Sequence, residues 1–433
     1  MTRWTTKLND HLSLLTAYGS LLGGSAGRLV LSLAYFVSVA NGLSVADFGL
    51  FATASATGIV LSRIAGFGFV SPLYRTATVR PQLIGVYTTG FLVSLVLSLP
   101  VVALAAVGFY RLFFVGEMSA GAFAAVVVAE VLFWRLLEVV VIVNNGLGRF
   151  TRGAALVIIG SAVRAVAAVL FAGLSDHSLG AWSLAYLSAN AVAMLVAILA
   201  FYPRQRLRFR PRLYLARWRD SVSVAGAEIV FYLQSELDKM LVLALGGAET
   251  AGIYAILMRL IDLTALPVRS ANTMIVQKLM KAPRWLDAWR TRALIEAGVA
   301  LVSVAGLAFL GGVLAIYPTL LGDNVAQGAP LVLLTLLVPA FRNLVEYESE
   351  LLYAQGRTGL RALILGLVGL CKAGLLSALF MVATSTATWI LSLNGLFLVL
   401  WLVSAAATYA ALDWNGRGFR RDAALTPVPQ PGE

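Results

Sequence analysis

The sequence predicts an all-α protein that crosses a lipid bilayer about twelve times. Of its 433 residues, 60% are apolar and 12% are charged, and the mean hydropathy is +0.85. That composition is too apolar for a soluble globular protein. Apolar windows of about 20 residues, the length that crosses the hydrocarbon core, recur along the chain. In addition, Lys and Arg concentrate in alternate loops, which is typical of a multi-pass membrane protein.

The apolar windows define twelve spanning helices, of which those around 60–70 and 340–355 contain the more polar stretches. A lead-in at 1–15 is expected to lie on the cytoplasmic surface of the membrane, because Leu8, Leu12 and Leu15 recur at helical spacing and no cleavage site follows. The predicted spans lie near 16–41, 45–70, 82–108, 119–145, 152–173, 179–202, 221–245, 250–278, 290–317, 327–355, 358–383 and 386–412.

The basic residues indicate the orientation of the chain. They crowd the connector 203–220 and the loop 278–292, whereas the loops of the opposite side contain Arg111 alone. Because Lys and Arg in short loops stay on the cytoplasmic side, both termini and the connector are predicted to be cytoplasmic. This distribution also accounts for the net charge of +12 without a nucleic-acid partner.

The connector 203–220 divides the predicted helices into an N-terminal six-helix bundle, 16–202, and a C-terminal six-helix bundle, 221–412. The second helix of each half opens on a similar pattern, Phe48-Gly49-Leu50-Phe51-Ala52 and Ala251-Gly252-Ile253-Tyr254-Ala255. Two like-oriented halves predict parallel repeats with a substrate site between them near mid-depth. The polar, proline-containing segment 413–433 is predicted to be a disordered cytoplasmic tail.

Metal and nucleotide chemistry find little support in the sequence. Cys371 is the single cysteine, and His11 and His177 lie far apart without ligand spacing around them. No GxxxxGK[ST] run occurs, so a P-loop does not supply ATP energy. We therefore expect no metal and no cofactor.

Two segments carry a family resemblance. Leu43-Ser-Val-Ala-Asp-Phe-Gly-Leu-Phe51 and Leu237-Asp-Lys-Met-Leu-Val-Leu-Ala-Leu-Gly246, the second followed by Ala251-Gly-Ile-Tyr-Ala255, resemble the bacterial polysaccharide transporter family. These are the O-antigen and exopolysaccharide flippases of the multidrug/oligosaccharidyl-lipid/polysaccharide (MOP) exporter superfamily. The resemblance implies a V-shaped transporter of two pseudo-symmetric six-helix bundles.

The same resemblance implies a function without catalysis. The protein would flip an undecaprenyl-diphosphate-linked oligosaccharide from the cytoplasmic to the periplasmic leaflet of a bacterial inner membrane, by alternating access, for O-antigen, capsule or exopolysaccharide synthesis. The implied partners are this lipid-linked oligosaccharide, membrane lipids and the polymerase or assembly proteins of polysaccharide synthesis, with the transporter acting as a monomer. Transport would be coupled to a proton or sodium gradient or to the membrane potential.

Ionisable residues inside the predicted spans are the candidate site. Such groups survive at membrane depth mainly where they face a protein interior or a watery cavity, and guanidinium groups bind a diphosphate with forked, charge-assisted hydrogen bonds. Related lipid-linked flippases place cavity arginines on their first, second and eighth helices, and Arg28, Arg63 and Arg259 match those positions. We expect Arg28 and Arg259 to hold the diphosphate and Arg63 to guide access from the cytoplasm. Arg269 and Lys239 are further candidates for the same cavity.

The seventh predicted helix carries a polar stripe. Glu228, Tyr232, Ser235 and Lys239 fall within a narrow arc, flanked by Glu236 and Asp238. The stripe could bind sugar hydroxyls, carry a coupling proton or cation, or hold the two halves together by ion pairs. In the eighth predicted helix, Pro267 permits a kink beside Asp262 and Arg269.

Several of these residues also have a purely structural interpretation. Arg135 and Glu138 are three residues apart and Arg342 and Glu346 are four apart, so both pairs are candidate salt bridges within one helix. Arg63 lies near a helix end, where it could snorkel to the interface. Single cations such as Arg164 could pair across helices or line the cavity. In the tenth predicted helix Glu348 points away from the face that Glu346 and Glu350 share, so one of these acids is expected at the interface.

Two other functions fit the architecture less well. An ion-coupled multidrug antiporter of the MATE type needs an acidic cavity for cationic drugs, but the first predicted helix offers Arg28 and no acid. A polysaccharide polymerase or ligase needs sizeable periplasmic loops, and the predicted ones are stubs such as 175–178 and 246–249.

Overall fold

The computed structural model describes residues 27, 29–173, 177–281, 289–383 and 385–422. Its ordered elements are helices, and the described residues contain no strand, which confirms the predicted all-α class. The predicted surface lead-in at 1–15 and Arg28 lie outside the described residues. The helices are α1 (Leu29–Gly42), α2 (Val45–Ile64), α3 (Val70–Val79), α4 (Ile84–Phe113), α5 (Ala120–Val128), α6 (Arg135–Gly146), α7 (Phe150–Ala172), α8 (Leu179–Val196), α9 (Pro211–Leu215), α10 (Trp218–Lys281), α11 (Trp289–Ile316), α12 (Asp323–Val332), α13 (Val338–Ala354), α14 (Thr358–Val382) and α15 (Thr386–Asp422).

The described helices agree with the predicted windows, although some windows form a broken helix and two of them share one long helix. Among the described residues, eight helices are long and apolar enough to cross a membrane, and nine if the broken pair α12 and α13 counts as one span. α10 contains two predicted spans, and the window 119–145 is divided into α5, a π-helical segment (Ala129–Trp134) and α6. Every predicted window therefore falls on a helix or a broken helix, with the start of the first window outside the described residues.

The predicted turn between the seventh and eighth helices is confirmed. α10 runs through 218–281, but Gly247 has φ 77° and ψ 177°, so its backbone leaves the helical conformation at this residue. A positive φ of this kind favours glycine, which has no Cβ. Below we call 218–246 the first arm and 248–281 the second arm of α10.

The end of α2 differs from the prediction. The backbone turns at Gly66, Phe67 and Gly68, all with positive φ, and the Gly66 N–H donates a hydrogen bond of 2.9 Å to the Ser98 hydroxyl. The predicted spans 45–70 and 82–108 leave 71–80 as a loop, but most of this segment belongs to the helix α3 (Val70–Val79), so that prediction was wrong. Pro72 lies in its first turn, where no backbone N–H is needed, and Val70, Leu73 and Ala77 bury one helical face.

Two further helical segments lie outside the predicted spans. The connector at 203–220 contains the short helix α9, and its Tyr214 hydroxyl donates to the Val86 carbonyl at 2.9 Å, which ties the connector to α4. The last helix, α15, continues to Asp422 instead of ending near 412. The remainder of the predicted tail lies outside the described residues.

The chain forms two compact units. Unit 1 comprises Met1–Leu266 with Val313–Pro330, and unit 2 comprises Pro267–Gly312 with Leu331–Glu433. Within unit 1, Phe51, Phe171 and Tyr186 surround Trp182 at ring-centroid distances of 5.5, 5.2 and 5.8 Å.

Unit 2 has its own apolar core. Val268, Val299 and Leu344 are buried together against Phe341 and Trp401, whose rings stack at 5.6 Å. Side chains on the outside of both units are also apolar, with Leu104, Leu199, Phe309 and Met381 at least three-quarters exposed. A surface of this kind suits contact with lipid chains. The division into six-helix bundles at 16–202 and 221–412 remains a prediction.

Candidate functional site

Charged side chains in the interior of unit 1 form two networks that the helix order alone does not reveal. The first, which we call the α2–α6–α10 network, consists of Arg63, Arg135, Glu138, Glu228 and Tyr232. Arg63 contacts both oxygens of the Glu138 carboxylate with its two terminal nitrogens, at 3.0 and 3.1 Å. Arg135 contacts Glu138 at 3.0 Å and Glu228 at 3.3 Å. The Arg63 guanidinium also lies 4.1 Å from the centre of the Tyr232 ring.

The α2–α6–α10 network combines two guanidinium groups with two carboxylates, so its formal charge cancels. Arg135 is 2% exposed, whereas Glu228 is 37% exposed. A buried guanidinium needs such partners, because leaving one charge unpaired in a low-dielectric interior costs about 3–5 kcal/mol. The predicted Arg135–Glu138 pair is therefore present. Arg63 is bound to a carboxylate in this conformation, and its predicted role in substrate access remains a prediction.

The second network, which we call the Glu130 network, consists of Glu130, Ser55, Arg164, Tyr186 and Asn190. No prediction from the sequence concerns Glu130. Glu130 is 2% exposed. Its carboxylate accepts hydrogen bonds from the Tyr186 and Ser55 hydroxyls and lies 3.6 Å from the Arg164 guanidinium. The signal that could have revealed it was available, since Glu130 is a lone acid in a long apolar stretch.

Arg164 is the cation that the sequence analysis expected to pair across helices or to line the cavity, and it pairs across helices. Besides Glu130, it donates to the Asn190 side-chain oxygen at 2.8 and 2.6 Å, and its guanidinium lies 3.6 Å from the Trp134 ring centre. Glu130 and Trp134 both belong to the π-helical segment that follows α5. A π-helical turn inserts an extra residue into the helix, often at functional sites, and here it carries two of the partners of Arg164, Glu130 and Trp134.

The polar stripe of the first arm of α10 is also satisfied by partners within unit 1. Lys239 and Glu236 form a salt bridge of 2.5 Å, and the Tyr254 hydroxyl of the second arm donates to Asp238 at 2.6 Å. Asp262 lies within electrostatic range of Lys239. Asp238 is buried, so part of this stripe faces the protein interior, as the helical spacing predicts.

Arg259 differs from the other candidate cations of unit 1. Its guanidinium donates a hydrogen bond of 2.6 Å to the Ser32 hydroxyl of α1, and within the described part of the chain no carboxylate lies at salt-bridge distance from it. The side chain is only partly buried. Arg259 follows the Gly247 break by 12 residues, about 18 Å of helix. In the predicted topology, which places 246–249 in a loop at the membrane surface, this puts Arg259 near mid-depth in a bilayer about 30 Å thick.

A tyrosine, Tyr35, lies between Arg259 and the Glu130 network. Tyr35 of α1 lies within electrostatic range of both Arg259 and Arg164 and interacts with the Tyr186 hydroxyl. Its ring centroid is 6.1 Å from that of Trp182. Ser32 and Tyr35 are three residues apart and therefore share a face of α1. This face, with Arg259, forms a surface that offers one unneutralised cation, hydroxyl groups and an aromatic ring.

The remaining predicted residues are separate from that surface. Arg28 lies outside the described residues. Arg269 belongs to unit 2, where its guanidinium contacts the Glu346 carboxylate of α13 at 3.1 Å. The sequence predicts Arg342 as a partner of Glu346, and this pair stays a prediction; in the structure Glu346 pairs with Arg269, which belongs to a different helix.

Comparison with known proteins identifies the fold. No family model matches the sequence, and no curated protein matches it. An inward-facing multidrug resistance MATE transporter of the MOP superfamily is similar with a TM-score of 0.63 and 13% identity, over 93% of this chain and 96% of that one. A MOP superfamily transporter from Pyrococcus furiosus, described by the reverse polarity of its binding pocket, is similar with a TM-score of 0.61 and 14% identity, over 94% and 96%. The lipid II flippase MurJ is similar with a TM-score of 0.59 and 13% identity, over 89% and 86%.

These similarities extend over nearly the whole chain. The protein therefore has the fold of the MOP superfamily transporters, as the sequence predicted. Sequence identities of 13–14% establish the fold only, and the substrate must be argued from the side chains.

Proposed function

We propose that this protein is a flippase that moves an undecaprenyl-diphosphate-linked oligosaccharide from the cytoplasmic to the periplasmic leaflet of a bacterial inner membrane. The proposal includes alternating access and a role in O-antigen, capsule or exopolysaccharide synthesis. The observation that carries it is the charge of Arg259, a guanidinium placed at mid-depth with a neutral hydroxyl as its partner.

A cation at this depth needs an anion, because the cost of keeping a charge in the membrane falls when an opposite charge binds to it. The other described cations of the unit 1 interior already have carboxylate partners. Arg63, Arg135, Arg164 and Lys239 contact Glu138, Glu228, Glu130 or Glu236. A diphosphate supplies several acceptor oxygens for the forked donors of arginine, and the hydroxyl groups of Ser32 and Tyr35 can contribute further hydrogen bonds.

The same inventory of charges argues against a MATE-type antiporter for cationic drugs. Glu130, Glu138, Glu228 and Glu236 are bound to cations, and Asp238 accepts from Tyr254. A cationic drug would have to displace an arginine or a lysine from the four glutamates. An anionic substrate meets no such competitor at Arg259.

Among the solved structures with this fold is one described as a lipid II flippase. Its existence supports the proposal, because it indicates that this fold is compatible with a lipid-linked substrate. In our proposal the diphosphate contacts Arg259 and Arg28, the glycan occupies the polar interior and the polyprenyl chain stays in lipid. Capture from an anionic inner leaflet would be favoured by the basic connector and loops.

The proposed site can be tested by binding to purified protein. Undecaprenyl diphosphate and undecaprenol share the same chain and differ in the anion, so wild-type protein should bind the diphosphate more tightly. Loss of one charge-assisted hydrogen-bonding group costs about 1.5–3 kcal/mol, which corresponds to roughly 10- to 150-fold weaker binding by Arg259→Gln.

The matched control is Arg75→Gln, which removes an exposed arginine of α3 and should bind undecaprenyl diphosphate like the wild type. Equal binding of the two lipids by wild-type protein, or equal binding of the diphosphate by wild type and Arg259→Gln, would remove the basis of the proposal.

A further inference from the structure

Unit 2 contains a carboxylic acid that has no counterpart in the networks of unit 1. Glu348 of α13 is 0% exposed, and within the described residues neither of its carboxyl oxygens has a hydrogen-bonding partner. No salt bridge to Glu348 occurs among those residues either. The Ser404 hydroxyl and the Trp401 indole N–H of α15 lie close enough to interact with its carboxyl group, but neither forms a hydrogen bond of normal geometry with it.

The residues around Glu348 are polar and also lack partners. Val268, Leu344 and Trp401 belong to the apolar core of unit 2. Asn272 lies four residues, about one turn, after Val268; Glu348 lies four residues after Leu344; and Thr408 lies seven residues, about two turns, after Trp401. Both side-chain polar atoms of Asn272, the Thr408 hydroxyl and the Tyr347 hydroxyl are buried without a described partner. We call Glu348 and these buried polar residues of unit 2 the Glu348 layer.

The charged groups that face this layer do not neutralise a carboxylate. From α11, Glu296 lies within electrostatic range of Glu348 and accepts a hydrogen bond from Tyr409 of α15. The guanidinium of Arg292 of α11 lies 5.1 Å from the Tyr409 ring centre and within electrostatic range of the Tyr347 hydroxyl. From α14, Lys372 lies 6.0 Å from the Phe397 ring centre, and Phe397 precedes Ser404, the α15 residue close to Glu348, by seven residues, about 10 Å along α15.

A carboxylate in such surroundings is strongly disfavoured. Burial without a compensating cation costs an ionised carboxyl group so much free energy that it takes up a proton instead. The like charge of Glu296 acts in the same direction. A sodium ion fits less well, because the Trp401 N–H is a donor only and directs positive charge towards the site. Nor do the described residues contain a group of three or more His, Cys, Asp or Glu residues placed to hold a metal ion.

We propose that Glu348 is a proton-binding site of the transport cycle, which holds a proton in this conformation and exchanges it when the Glu348 layer opens to water. The exchange is a simple proton transfer between the carboxyl group and water. The role in transport rests on the proposed flippase function, whereas proton binding by Glu348 can be measured without it.

Infrared spectroscopy of the purified full-length protein in lipid nanodiscs tests the proton directly. A protonated carboxylic acid has a carbonyl stretch that a carboxylate lacks, and we expect this band in wild-type protein at neutral pH. Glu348→Gln should abolish it. Glu350→Gln is the matched control on the same helix, since Glu350 forms a 2.8 Å salt bridge with Arg361, and the band should persist. A wild-type spectrum without the band, or a band that survives Glu348→Gln, would overturn the inference.

Two further measurements separate this inference from its alternatives. Replacing choline chloride by sodium chloride at constant pH should leave the band unchanged, and its disappearance would show that the site binds sodium instead. In cells, Glu348→Gln, which imitates the protonated form and cannot release a proton, should lose at least about tenfold in clearance of lipid-linked oligosaccharide from the cytoplasmic leaflet, equivalent to about 1.4 kcal/mol.

Clearance at the wild-type rate by Glu348→Gln would contradict the coupling role. Failure of the proposed flippase function has a different signature, because wild-type protein itself would then clear no lipid-linked oligosaccharide while the infrared band remained. A variant that fails to fold is recognised by its thermal melt, and Glu348→Asp then provides the second test. This variant keeps the acid and should retain a carbonyl band at a shifted frequency, whereas loss of the band in a folded Glu348→Asp protein would overturn the proton site.

Discussion

Gly49 and Gly252, the glycines of the two similar segments in the sequence, lie against each other in unit 1. A methyl group on Gly49 would lie 2.4 Å from the Gly252 nitrogen and 2.5 Å from the Ala248 carbonyl oxygen. A methyl group on Gly252 would lie 2.0 Å from the Val45 carbonyl oxygen. Each glycine thus meets the carbonyl of the residue four positions before the other glycine. This reciprocal contact is what a pseudo-two-fold relation between α2 and the second arm of α10 would produce.

The close approach predicts a steep cost for any side chain at either glycine. Gly252→Ala places a Cβ against a backbone carbonyl, which cannot move aside as a side chain could, so we expect destabilisation of at least about 1–3 kcal/mol. Thermal unfolding of the purified protein measures this. Gly121→Ala in α5 is the control, since a Cβ there meets nothing within 4 Å. Equal melting temperatures for the two variants would contradict the packing.

The Arg63–Glu138 pair predicts strong coupling between two residues that are distant in sequence. Glu138→Met should destabilise the protein by about 3–5 kcal/mol, because it leaves the buried Arg63 guanidinium without its carboxylate partner. Arg63→Met should cost less, because Glu138 keeps its salt bridge of 3.0 Å with Arg135. The double variant should cost less than the sum of the two single variants. A double-mutant cycle of unfolding free energies measures the coupling, and strictly additive effects would show that the two groups do not interact.

The Tyr186 hydroxyl is expected to stabilise the fold through its hydrogen bond to Glu130. Tyr186→Phe keeps the aromatic contact with Phe51, whose ring centroid is 5.1 Å away, but it removes a donor to the buried Glu130. Loss of one partner of a buried acceptor costs about 1–3 kcal/mol. Tyr317→Phe, at an exposed ring, should leave the melting temperature unchanged. If both variants melted alike, Glu130 would not depend on Tyr186.

Asn41 predicts a local effect at the end of α1. Its side chain donates to the Leu321 carbonyl at 2.8 Å and accepts from the Asn324 backbone N–H at 3.1 Å. Asn41→Ala should therefore speed hydrogen exchange at the Asn324 amide, by roughly 5- to 150-fold if about 1–3 kcal/mol of local stability is lost. Amides in the middle of α7 serve as the internal control, and unchanged exchange at Asn324 would contradict the contact.

Much of the fold follows from local features of the sequence. The apolar windows locate the helices because only helices satisfy the backbone hydrogen bonds of a chain in lipid. Gly247 marks a helix break for a similarly local reason, since it adopts a positive φ. The Arg135–Glu138 pair was predictable because residues three apart face each other on one helix.

The features that escaped prediction depend on distant residues. Arg63 and Glu138 are 75 residues apart, and no spacing rule connects them. Glu130 lies in an apolar stretch, and its partners come from α2, α7 and α8. The helix α3 was missed because its segment is short and polar, and its apolar face is buried only by packing against α4 and α6.

The central claim is tested most directly by the distribution of lipid-linked oligosaccharide between the two leaflets in cells depleted of this protein. The cells are rescued with wild type, Arg259→Ala, Arg28→Ala or the control Arg75→Ala, each checked for equal amounts in the membrane. We expect the oligosaccharide to accumulate on the cytoplasmic face and to be cleared by wild type and Arg75→Ala, but not by the other two variants. If depleted cells instead carried the lipid-linked unit to the periplasm normally and failed only in its polymerisation, the flippase function would be contradicted.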